Sequence, residues 1–181
     1  MKIILGFIAG IALVVVITLM YAADLMVNEY ESPFGVEETA ARVQANIQSL
    51  EHRGWKLSAL RNPAKAVAAG GTNVLPVLLV EACSTTYSAP LLKDDKTKIV
   101  SLLMPCTITV YKKDDGKTYI GTMNSGLVGR VFGKKVGDIM AEVAKDQQVF
   151  INMDPSKPAP PLIRTGPGGG GGKGGAVDAG C

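Results

Sequence analysis

MPCTITVYKKDDGKTYIGTM, running from Met104 to Met123, is the stretch whose reading decides the fold. From Cys106 onward its apolar residues alternate, and a period of two puts Cys106, Ile108 and Val110 on one side of a strand. Asp114, Asp115 and Gly116 supply a turn, and Lys117 to Met123 returns as the antiparallel partner. The apolar run before it extends the first strand back to Ile99, giving Ile99 to Tyr111. Such a hairpin has one apolar face, which must be buried against another layer.

Upstream, Val36, Ala40, Val43, Ile47 and Leu50 step by four and three, the stripe of a half-buried helix, with Glu37 and Glu38 favourable in its first turn. Gly54 offers the left-handed conformation that stops it. Leu25 to Tyr30, Trp55 to Leu60 and Val74 to Cys83 read as strands, with Pro76 making the last irregular or an edge where it starts. Ser84 to Asp95 is a connector with a helical turn around Pro90 to Leu92. Beyond Gly126, Leu127, Val131, Val136, Ile139, Met140 and Val143 recur at helical spacing, most strongly from Val136 to Lys145. The predicted order is strand, helix, four strands, helix: an α+β domain with helices on one face of an antiparallel sheet.

The two ends differ from this middle. Ile3 to Ala23 carries no charge, and at 1.5 Å per residue such a run spans a hydrocarbon core of ~30 Å. It is longer than the apolar region of a cleaved signal, ~7 to 15 residues, and Tyr21 is too bulky for the cleavage position before Ala23. Lys2 precedes the run while Asp24, Glu29 and Glu31 follow it, which orients the N-terminus to the cytoplasm. The sequence therefore predicts a single-pass anchor over residues 1–24 in the inner (cytoplasmic) membrane. The domain, 25–152, would lie on the periplasmic or extracellular side, and 153–181 would be a Pro/Gly-rich flexible tail. The net charge of +3 is mild and its basic residues are scattered, which argues against a nucleic-acid partner.

Val80-Glu81-Ala82-Cys83, Met104-Pro105-Cys106-Thr107-Ile108-Thr109-Val110-Tyr111 and Asp115-Gly116-Lys117-Thr118-Tyr119 resemble the core pattern of the domain of unknown function 302 family. Gly35-Val36-Glu37-Glu38-Thr39 and Gly54 resemble that family's first helix and its cap, so the similarity covers roughly Leu25 to Ile151. The resemblance implies a TATA-binding-protein-like fold, commonly dimeric, with some relatives in sulfur-metabolism or redox contexts and no established activity. Ser84-Thr85-Thr86 follows Cys83 where many relatives carry Asn-Pro.

Two cysteines are the chemical lead. If the strands carrying Cys83 and Cys106 pair with Val77 and Leu79 facing inward, both thiols point into the core and approach each other. Three readings are open: a structural disulfide contributing ~3 kcal/mol, two buried thiols acting as small hydrophobes, or a redox or soft-metal site. In the last, Met104 and Met123 add thioethers, the ligand set of copper(I) or haem iron. There is no CxxC, CxxCH or histidine cluster to support it. Glu81 shares the Cys83 face, either as a strand-end residue reaching water, the favoured reading, or as a buried carboxylate that needs a partner such as Arg130 or a lysine. His52, the only histidine, sits at the end of the first helix, and Cys181, beyond the glycine tract, is expected to stand apart. No Ser/His/Asp arrangement, phosphate loop or catalytic carboxylate pair has a recognisable spacing. The leading expectation is a binding or accessory module, a homodimer or a small subunit of a membrane complex. The alternative is a redox, copper or haem protein using Cys83 and Cys106.

Overall fold

Strand alternation and helical stripes assemble here into one five-stranded sheet, every neighbouring pair antiparallel, in the order β1-β5-β4-β3-β2. The computed structural model describes residues 2–164; the glycine tract and Cys181 lie outside the described residues. The strands are β1 (Val27–Ser32), β2 (Trp55–Arg61), β3 (Val77–Ser84), β4 (Cys106–Lys112) and β5 (Thr118–Met123). The helices are α1 (Lys2–Met26), α2 (Val36–Ser49), α3 (Pro63–Ala69), α4 (Thr85–Leu92), α5 (Ser125–Val131) and α6 (Lys134–Phe150). Short 3-10 helices occupy Glu51–Arg53 and Lys98–Leu103.

The predicted stripe of α2 is fully used: Ala40, Val43 and Ile47 have no exposed surface. They lie over Val80 and Ala82 of β3, Ile108 and Val110 of β4 and Ile120 of β5, while α6 adds Val136, Met140, Val143 and Phe150 to the same core. Gly54, at φ 79°, closes the 3-10 turn after α2 rather than α2 itself. The helical pattern after Gly126 is two helices, because Gly133 at φ 93° turns the chain back. The hairpin closes tightly because Gly129 leaves room for the Met140 side chain where a Cβ would collide.

Three expectations are corrected, and one helix is new. Ile99 to Leu103 is part of a 3-10 helix, so the strand begins only at Cys106; an apolar run with no parity does not distinguish the two conformations. Helix α3, started by the Asn62 side chain accepting from Lys65 N at 2.8 Å, was not anticipated from its Ala-rich sequence. The core face of β3 is Leu78, Val80 and Ala82, one residue out of phase with the predicted face. Residues 153–164 are not a free tail: the Gln44 amide donates to Ile163 O and accepts from Ile163 N, each at 2.8 Å. The Arg42 guanidinium donates to Asp154 O and Lys157 O at 2.9 Å, holding this strap along α2.

Helix α1 is continuous for 25 residues and enters β1 without a linker. Asn124 ties that junction down, its backbone N–H donating to Met26 O at 2.8 Å and its side chain to Leu25 O at 3.0 Å. Much of α1 has side chains outside the described residues, and taken over the described residues alone no helix is long and apolar enough to cross a membrane.

Candidate functional site

Register sorts the ends of the sheet. Val27 pairs with Met123, Ala82 with Cys106 and Trp55 with Ser84, so the starts of β1, β2 and β4 and the ends of β3 and β5 gather where α1 arrives. At this end lies a small apolar cavity of about 30 Å³, lined among others by Trp55, Tyr87, Met104, Cys106 and Met140. That is room for about one water-sized occupant, an order of magnitude below the volume of an organic-ligand pocket.

One wall of the cavity is polar behind its rings. Asp146 of α6, fully buried, accepts at Oδ2 from Trp55 Nε1 (2.7 Å) and from the Tyr87 hydroxyl (3.1 Å). Its Oδ1 accepts from Arg53 Nη1, and Arg53 Nη2 donates to the Tyr87 oxygen (2.5 Å) and to Glu142 (3.4 Å). Trp55 stands edge-on to Phe150, ring centroids 4.8 Å apart, so the indole is fixed on both sides. Burial pushes the Tyr87 phenol above its ordinary range, and its hydrogen bond to Asp146 adds to this. The cluster thus holds a carboxylate, a neutral phenol and a guanidinium in one fixed arrangement. Sequence reading missed all four as site residues, because Asp146 lies 91 positions from Trp55 and 93 from Arg53 in the chain.

The predicted thiol site is brought together only in part. Cys106 does face the core with Ile108 and Val110, as expected. Ala82, not Cys83, stands opposite it, so alternation turns the Cys83 side chain to the other face of the sheet, although its position borders the cavity. The thiol of Cys106 is free, and no Cys83–Cys106 bond exists. Met123 falls one residue beyond Thr122, the partner of Ile108, and does not line the cavity; Met140 takes its place beside Met104 and Cys106. Burial pushes the Cys106 thiol up to about 11. No group of three or more His, Cys, Asp or Glu side chains with metal-holding geometry occurs among the described residues.

Glu81 is buried and paired, with Arg61 Nε donating at 2.6 Å, not with Arg130. A β-bulge between Leu57 and Ala59 sets Arg61 beside Leu79 on the Glu81 face, which the sequence did not announce. His52 lies exposed in the 3-10 turn after α2.

The opposite end of the sheet is open. A groove of about 950 Å³ runs between the start of α2 at Gly35 and Val36, the β4–β5 turn at Gly116 and Lys117, and Lys65 of α3. Phe34, Val74 and Leu78 give it apolar walls, and Glu31, Lys112 and Lys117 a charged rim. Its size is that of a ligand or peptide site.

None of the curated proteins compared with the chain matches it. It is similar in fold to a solved structure, the crystal structure of an uncharacterized conserved protein DUF302 from Bacillus stearothermophilus. The TM-score is 0.60 at 19% identity, over 70% of this chain and 95% of that one. Residues 28–153 match the family described as Domain of unknown function DUF302, the span that contains all of the sheet but Val27, α2 to α6 and both cavities, and the chain belongs to that family.

Proposed function

We propose that this protein is a binding or accessory module held by α1 on the outer face of a membrane, N-terminus in the cytoplasm, as a homodimer or as a small subunit docked on a membrane complex. The support for the anchor is the sequence of the whole helix: uncharged from Ile3 to Ala23 and helical over 25 residues, a length of roughly 37 Å against a hydrocarbon core of ~30 Å. The observation that carries the binding role is the placement of the 950 Å³ groove at the end of the sheet away from α1, where a partner in the aqueous phase reaches it. The protonated Cys106 thiol favours binding over nucleophilic chemistry: with its value near 11, only about one in ten thousand is ionised at pH 7. N-terminal sequencing of the membrane-extracted protein should return Met1 or its formylated form, and protease added outside intact spheroplasts should digest the domain. A mature terminus at Asp24 or Leu25 refutes the anchor, and a domain protected from outside refutes its export.

A second reading rests on three sulfur-bearing residues, Met104, Cys106 and Met140, among those that line a cavity of single-ion size. It is a copper(I) site of one thiol and two thioethers, replacing the Cys83, Cys106, Met104 and Met123 set. Copper(I) would displace the thiol proton, so affinity should rise about tenfold per pH unit below pH 9 and collapse in Cys106→Ser. Equal competition with a copper(I) chelator by parent and Cys106→Ser removes this reading.

A further inference from the structure

We infer that the domain makes a second contact with the bilayer through α5 and the 3-10 helix Lys98–Leu103, so that it lies on the membrane surface rather than standing off it; this rests on the anchored reading of α1. Helix α5 starts at the end of β5 that pairs with Val27, touches α1, and is fixed there by the two bonds from Asn124 to Leu25 and Met26. Beside this junction the surface is apolar: Val131 is 73% exposed, and Leu127 and Phe132 are exposed with it. Leu102, 78% exposed, and Ile99 belong to the segment that leads into β4 at the same end of the sheet. Single exposed apolar residues need no explanation, but several on two segments at the end of the sheet where an apolar helix arrives do.

Charge selects the occupant. Arg130 is exposed and enters no ion pair among the described residues. Its neighbours Lys134 and Lys135 are paired with Asp138 and Asp94. A guanidinium flanked by Val131 and Phe132 suits the headgroup boundary, where it meets lipid phosphate while the apolar side chains enter ~5 to 10 Å. A water-facing protein partner would have to cover the same patch within reach of the bilayer.

The test uses the full chain in vesicles of phosphatidylcholine and phosphatidylglycerol with brominated acyl chains. Trp55, the sole tryptophan, is buried and gives the background. Phe132→Trp should be quenched about twofold more than the parent. Val74→Trp, exposed at the groove end, should match the parent. If Phe132→Trp is quenched no more than Val74→Trp in vesicles with which the chain floats and resists carbonate, the second contact is wrong and the anchor stands. A blue-shifted Phe132→Trp emission without lipid quenching assigns the patch to a protein partner and also overturns it. A chain that does not float with the vesicles overturns the anchor and this contact together.

Discussion

Two clusters in this domain are built from nearly the same parts. At the closed end of the sheet, Asp146 meets the Tyr87 phenol and the Arg53 guanidinium. On the sheet face away from the helices, Glu29 of β1 meets the Tyr111 phenol and, at 2.6 Å, the Lys113 ammonium. The first carboxylate is buried and also takes the Trp55 N–H; the second is 42% exposed, as is its lysine. In the first, a lost bond leaves the buried Asp146 or the Trp55 N–H stranded from water, whereas in the second solvent replaces whatever is removed. Similar hydrogen-bond chemistry therefore has different consequences, and burial decides which cluster holds the fold.

Asp146→Ala should have the largest effect. It strands the Trp55 N–H and the Tyr87 hydroxyl and removes the partner of Arg53, and breaking such a buried pair costs 3–5 kcal/mol. Because Arg53 is 35% exposed, a value of about 3 kcal/mol is expected. Urea unfolding of the full chain in detergent, followed by Trp55 fluorescence, reads it directly. Asp146→Asn, which keeps one acceptor, should lose less. If the alanine variant falls by under about 1 kcal/mol, burial does not separate the two clusters.

How much of this was legible follows from the physics of each part. The five strands and the α2 and α6 stripes could be read because alternation and 3.6 periodicity are local properties, and the β4–β5 turn announces itself in Asp-Asp-Gly. Parity failed in β3, where Leu78, Leu79 and Val80 are apolar in succession, and that one-residue ambiguity carried Cys83 to the wrong face. The Asp146 cluster was illegible because it joins residues 93 positions apart, and none of them is unusual alone. The strap from Asp154 to Ile163 was read as tail on composition, but its backbone is held by Arg42 and Gln44 of α2, partners that composition does not reveal.

Tyr87→Phe is the next step down, at about 1 kcal/mol near neutral pH, since one partly buried hydroxyl is removed and Asp146 keeps two donors. It also changes the alkaline limb. Burial and the Asp146 bond raise the phenol above its ordinary 10, so the folded state keeps its proton while the unfolded chain loses it. Stability from this source is complete below pH 10 and declines as pH rises toward the folded value. Cys106, moved from 9.0 to about 11, contributes to the same limb in parent and variant alike. The variant should therefore lose less stability than the parent between pH 9 and 11. Parallel alkaline profiles would mean that the phenol is not held as described.

Glu29→Gln should be the smallest, below about 0.5 kcal/mol at neutral pH. The Tyr111 ring reaches Glu29 over Gly121, the residue opposite Glu29 on β5, where a side chain would collide with Thr109. The geometry is therefore well defined, and the small effect reflects solvent rather than poor contacts. Lys113, and then Tyr111, hold the carboxyl below its ordinary 4.5, so the stabilisation is present above that value and is lost as pH falls through the lowered one. The difference between parent and variant should close on acidification, and also in about 1 M salt, where screening acts over ~3 Å. A loss near that of Asp146→Ala, insensitive to salt, would show that this face of the sheet is shielded from water, and the contrast between the two clusters would fail.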